Sequence, residues 1–218
     1  MKSDYTHVTV ILDRSGSMES IREDIIGGFN RFVADQRDQP GTATLTLVQF
    51  DTQDPYEVAH RFVPIQEIPP FTRHIYVPRA STPLLDALGR GINDLQVTLN
   101  NLEDDKKPSK VVMVIITDGQ ENSSREFTRD QVVKMIKDRT DKDAWQFVFL
   151  SADLGAINDA VSYGIQGDTA LLFHKSGVGT AAAYASLSSQ LSDYRRGKKR
   201  KMGFDPEDRK HPDDPGKK

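Results

Sequence analysis

The run Val111-Val112-Met113-Val114-Ile115-Ile116 constrains the fold more than any other stretch of the chain. Five of its six residues are β-branched, which favours an extended backbone, and the side chains of a strand point alternately to two faces. Both faces must therefore be buried. A strand meets that condition in the middle of a parallel sheet covered by helices on either side. His7-Val8-Thr9-Val10-Ile11-Leu12 is a second β-rich run. Between Ser17 and Gln36, Met18, Ile21, Ile25, Phe29, Phe32 and Val33 recur at helical spacing. Gly27-Gly28 interrupts that pattern and is read as close packing of the helix on the sheet.

The remaining elements follow from pattern and punctuation. Ala43–Phe50 and Glu57–Val63 read as strands joined by a short Asp/Pro turn, hence as an antiparallel pair at a sheet edge. Residues 64–80, with Pro64, Pro69, Pro70 and Pro78, read as an irregular loop. Thr82 is placed to cap a helix that Pro83 opens and that runs to about Leu99. A strand over Lys110–Thr117, a helix near 128–139, a strand at Gln146–Leu150 and a short helix near 154–163 come next. A weak strand at Ala170–Phe173 and a helix from Gly179 to Asp193 complete the series. The order β-α-β-β-α-β-α-β-α-β-α predicts an α/β protein: a doubly wound, mostly parallel six-stranded sheet with helices on both faces and one antiparallel edge strand. The domain spans residues 7–193, and 194–218 is read as a basic, disordered tail, because it holds too few apolar residues to offset its ordering entropy.

Composition narrows the function. With 37% hydrophobic residues the chain can fill a core, yet no apolar run approaches the roughly 18 residues of a spanning helix. There is no cysteine, which excludes disulfides, thiolate metal sites and cysteine nucleophiles. The start of the chain has no apolar signal core, so the expected compartment is the cytoplasm. Of 29 basic and 32 acidic residues, ten and five lie in 194–218, leaving a net charge of −8 on the rest. An acidic body is a poor docking surface for a nucleic-acid backbone, and only the tail run Arg195-Arg196-Gly197-Lys198-Lys199-Arg200-Lys201 offers one.

The chemistry concentrates where the first strand ends, in Asp13-Arg14-Ser15-Gly16-Ser17-Met18. Oxygen side chains at i, i+2 and i+4 converge if the chain leaves the strand extended and curls at Gly16. In an open α/β sheet, ligands bind beyond the carboxyl ends of the strands, where the strand order reverses. The strand beginning at Val111 also ends in an aspartate, Asp118, and Thr82 can supply a fifth oxygen. Carboxylates and hydroxyls are hard ligands suited to Mg²⁺ or Mn²⁺. Two carboxylates balance one dication, and Ser15, Ser17 and Thr82 are neutral. Such an ion keeps an open position for an acidic oxygen from a partner.

At these residues the sequence resembles the von Willebrand factor type A domain family, over about residues 7–193. The resemblance rests on Asp13-x-Ser15-x-Ser17, Thr82 in Ser-Thr-Pro and Asp118 in Thr-Asp-Gly, in that order. It implies that Asp13, Ser15, Ser17, Thr82 and Asp118 form a metal-ion-dependent adhesion site, with Thr82 and Asp118 exchanging between direct and water-mediated contact. It also implies a non-enzymatic module that binds a partner's Asp or Glu through Mg²⁺ or Mn²⁺. Stand-alone intracellular members often work inside multiprotein complexes, some beside ATPases, so a prokaryotic or phage protein of that kind is the expectation.

Other signals weigh less. Ser15 lacks the Gly-x-Ser-x-Gly setting of a hydrolase nucleophile. A Mg²⁺-dependent phosphoesterase in the same crevice is the enzymatic alternative, but no general base or phosphate-binding lysine is evident beside the five residues. Gly177-Val178-Gly179-Thr180 opens a helix without a Walker motif. Glu121 and Asn122 lie close enough to Asp118 to hold metal-bound water or simply to form a solvated loop. Arg14 and Arg79, if aimed at the crevice, would favour an acidic partner. Trp145 opens an apolar strand and reads as core or sheet edge.

Overall fold

In a computed structural model describing residues 2–210, β4 (Pro108–Thr117) pairs with β1 (Lys2–Asp13) at the middle of one six-stranded sheet. The strand order is β3-β2-β1-β4-β5-β6, with β2 at Thr42–Phe50, β3 at Glu57–Pro64, β5 at Gln146–Ser151 and β6 at Ala170–Leu172. Five strands run parallel and β3 runs antiparallel to β2 at one edge. The helices are α1 (Arg22–Arg37), α2 (Leu84–Asn101), α3 (Arg129–Asp143), α4 (Leu154–Ser162) and α5 (Gly177–Arg195). This is the doubly wound arrangement expected from the sequence.

Alternation along β4 divides the core. Val112, Val114 and Ile116 pack with Phe29 and Phe32 of α1 and Leu187 and Leu191 of α5. Val111, Met113 and Ile115 face Leu88 and Ile92 of α2, Val132 and Ile136 of α3 and Ala156 and Ala160 of α4. Each fully buried aliphatic or aromatic side chain contributes about 1.5–3 kcal/mol. The same face of β1 carries a polar pair. His7 is fully buried, with Nδ1 2.8 Å from Thr44 Oγ1 and Nε2 3.1 Å from Thr9 Oγ1, and its ring stacks on Phe62 at 3.7 Å. Phe62 has φ 50° where the β2–β3 register is irregular, and its N–H donates to the side-chain hydroxyl of Thr46 on β2.

Four sequence expectations change. The segment after β1 is first a 3-10 turn (Gly16–Ile21), and only then α1. Gly28 marks close packing against another helix, not the sheet: a β-carbon there would stand 2.2 Å from Tyr184 of α5. Helix α2 begins at Leu84 with Pro83 as its cap residue, and Thr82 does not cap it. Glu121 accepts a hydrogen bond from Leu85 N (2.9 Å) and Ser124 one from Asp86 N (3.1 Å), which satisfies the helix end from outside. Finally, the chain from Tyr194 to residue 210 is packed, not disordered. Helix α5 continues through Arg195, and Met202 and Phe204 are buried against the main core. Phe204 N donates to Asp168 O, Met202 N to Gln146 Oε1 and Arg209 to Ala170 O, which fixes the segment beside β5 and β6. The expectation for 211–218 lies outside the described residues. Among the described residues no helix is long and apolar enough to cross a membrane.

Candidate metal centre

Strands β1 and β4 are neighbours and end together, with Leu12 opposite Ile116, so Asp13 and Asp118 emerge at the same rim. The first crossover from β1 leads to β2 on one side, while β4 lies on the other side, which makes this rim the switch point of the sheet. Asp13 is fully buried. Thr117 Oγ1 donates to its Oδ2 (2.5 Å), and Ser15 N donates to its Oδ1 (2.6 Å). Burial raises its carboxyl to about 6. The Thr117 and Ser15 hydrogen bonds act against that rise, and the charge of Asp118 adds to it.

The 3-10 turn then brings the hydroxyls round. Ser15 Oγ and Ser17 Oγ are 3.1 Å apart, and Ser17 Oγ donates to Asp118 Oδ1 (2.6 Å). Thr82 reaches the same place from a third segment. A β-carbon at Gly119 would stand 3.9 Å from Ser17 Oγ and 4.0 Å from Thr82 Oγ1. Two carboxylates and three hydroxyls from three separate loops thus converge. Asp118 Oδ2 is buried and pairs with the Lys175 ammonium at 2.5 Å. Closely set buried carboxylates and neutral hydroxyls fit a hard dication.

Loops this close need fixing. Gly16 N donates to Ala80 O (3.0 Å), Arg79 N to Arg14 O (2.8 Å) and Tyr76 Oη to Asp13 O (2.7 Å). Asp51, at the end of β2, is the shared anchor. It accepts from Arg14 Nε (2.7 Å), Arg79 Nε (3.0 Å) and Gln53 N (2.6 Å). Burial works against its charge, but hydrogen bonds from the Asp54 backbone, Arg79 and Gln53, with the charge of Arg14, hold its carboxyl below the usual range. Arg14 also pairs with Glu57. The buried Arg14 is therefore held by Asp51 and Glu57, and Arg79 reaches Asp51 through Nε. Asn122 brackets Thr82, accepting from its N–H (3.0 Å) and donating to its carbonyl (3.2 Å), while Glu121 closes the loop on Ser123, Ser124 and Leu85. Asn122 thus positions Thr82, and Glu121 holds the loop that carries Asn122.

Sequence reasoning missed Thr117, Asp51, Tyr76 and Lys175. Thr117 was legible as the neighbour of Asp118 at a strand end. The other three reach the rim from distant loops and gave no local signal.

No protein-family model matches the chain, and comparison with curated proteins gives no match. Solved structures show the fold. Proximal thread matrix protein 1 from the mussel byssus, with a zinc-occupied adhesion-site motif, superposes with TM-score 0.55 at 13% identity, over 89% of this chain and 46% of that one. A von Willebrand factor type A protein from Catenulispora acidiphila gives 0.56 at 10% identity, over 85% and 42%. The manganese-loaded Plasmodium vivax TRAP protein gives 0.53 at 12% identity, over 79% and 69%. The chain spans about half the length of the first of these. The architecture is that of von Willebrand factor type A domains, a Rossmann-like α/β fold.

Proposed function

We propose that the chain is a divalent-metal-dependent protein-interaction module. One observation carries the reading: the carboxylates of Asp13 and Asp118 and the hydroxyls of Ser15, Ser17 and Thr82 meet at a single rim at the carboxyl ends of β1 and β4. These five residues would hold the ion directly or through water. Their oxygens favour Mg²⁺ or Mn²⁺. Neighbours of the same fold that carry zinc or manganese support a dication here. When bound, the ion supplies an electrophilic position for an anionic oxygen. The protein's own part is to keep the ion electron-poor. It offers only two charged ligands, and Asp51 pairs with the nearby Arg14 and Arg79.

The expected ligand is an Asp or Glu side chain of a partner protein. The inferred setting is a cytoplasmic multiprotein complex, one containing an ATPase being the case suggested by family resemblance alone. The test is isothermal titration with Mg²⁺ and Mn²⁺. Wild type binds and melts at a higher temperature with metal, because the ion binds the folded state and not the unfolded chain. Asp13→Ala loses both effects while keeping its circular dichroism spectrum. Absence of binding in the wild type sinks the reading. Partner capture that is abolished by chelator and by Asp13→Ala identifies the ligand class.

A further inference from the structure

Lys175 lies in the connection between β6 and α5, remote in sequence from every loop that builds the rim. Its ammonium stands 2.5 Å from Asp118 Oδ2 and donates to Ser17 O at 2.9 Å. It thus touches two of the five metal-site residues. The Asp118 side chain is completely buried and that of Lys175 about a third exposed, so the lysine stem reaches inward to place its charge. The two oxygens of Asp118 are thereby divided, Oδ1 to Ser17 and Oδ2 to Lys175.

We infer that Lys175 is an internal cation that competes with the divalent ion for Asp118 and so sets the site's metal affinity. The inference rests on the metal-binding reading above. A dication arriving beside Asp118 meets one of two costs. If Lys175 stays, two positive charges share one carboxylate in a poorly screened place. If it leaves, its ion pair and its bond to Ser17 O are lost. Both lower metal affinity, and by reciprocity metal binding weakens the hold on Lys175 and on the turn that opens α5. With the lysine present, the rim carries one net negative charge instead of two before metal enters. Half-occupancy then requires a higher metal concentration than the five ligands alone would dictate.

The experiment is calorimetric titration of the full chain with Mn²⁺ alone, for wild type, Lys175→Met, Lys175→Gln and Lys175→Arg. Circular dichroism and metal-free melting check the fold. Both neutral variants are expected to bind Mn²⁺ about tenfold more tightly, the equivalent of about 1.4 kcal/mol. Lys175→Arg keeps the charge and stays near wild type. Wild-type binding that is unchanged or weakened in folded neutral variants overturns the competitor role and leaves the metal site standing. No Mn²⁺ binding in wild type overturns both readings.

Discussion

His7 shows how far one buried residue departs from its solution chemistry. Its ring is sealed between β1, β2 and Phe62, and burial lowers its pKa from 6.5 to about 3, so it stays neutral in the folded protein. The unfolded chain takes up a proton near 6.5 and the folded one only near 3, so stability is lost as the pH falls through that window. Between pH 7 and pH 5 the loss attributable to His7 is about 2 kcal/mol. Urea denaturation at both pH values should show wild type losing that much more than His7→Gln, whose side chain does not titrate. Equal losses would mean the ring is hydrated. At the same scale, Asp13, Ser15, Ser17, Thr82 and Asp118 were readable because each sits in a short string next to a strand or helix boundary. His7 was not, since a histidine in an apolar run carries no sign of which neighbours its nitrogens meet.

Most elements were legible from periodicity, and the departures came at their ends. The 3-10 turn after β1 arises because Ser15 stays extended while Gly16 is tied to Ala80, a contact across 64 residues. Pro83 ends up outside α2 because Glu121 and Ser124 satisfy the helix N-terminus instead. The clamp at Asp51 belongs to this scale, since it joins the end of β2 to the Asp13–Ser17 loop and to the segment before Thr82. Removing it leaves the nearly fully buried Arg14 short of its main partner. Breaking such a buried pair costs about 3–5 kcal/mol. Asp51→Ala is therefore expected to lower the denaturation midpoint strongly and to weaken Mn²⁺ binding, although Asp51 is not among the proposed ligands. A variant with wild-type stability and wild-type Mn²⁺ affinity would show that the loops are held in some other way.

For the whole molecule, the segment after α5 completes the core instead of trailing from it. Met202 and Phe204 cover apolar surface beside β5, β6 and α5, and their backbone and neighbours bond to Asp168, Gln146 and Ala170. Phe204→Ala should cost about 3 kcal/mol, the usual range for removing a buried aromatic ring, and truncation after Arg195 should lower the melting temperature further. A truncated chain that melts like wild type would assign no structural role to this segment. Composition misled here because two apolar residues in a basic stretch suffice when they can join an existing core.

The sequence by itself determined the six strands, the single antiparallel edge and the rim on which five oxygen side chains would meet. Those features depend on local periodicity, on residue type and on where strands end. Only the tertiary structure decided that Lys175 pairs with Asp118, that Asp51 takes up Arg14 and Arg79, and that the segment to residue 210 packs down. Each is a contact between residues far apart along the chain. Electrostatic pairing and burial depend on distance in space, and a linear pattern of residue types does not contain that distance.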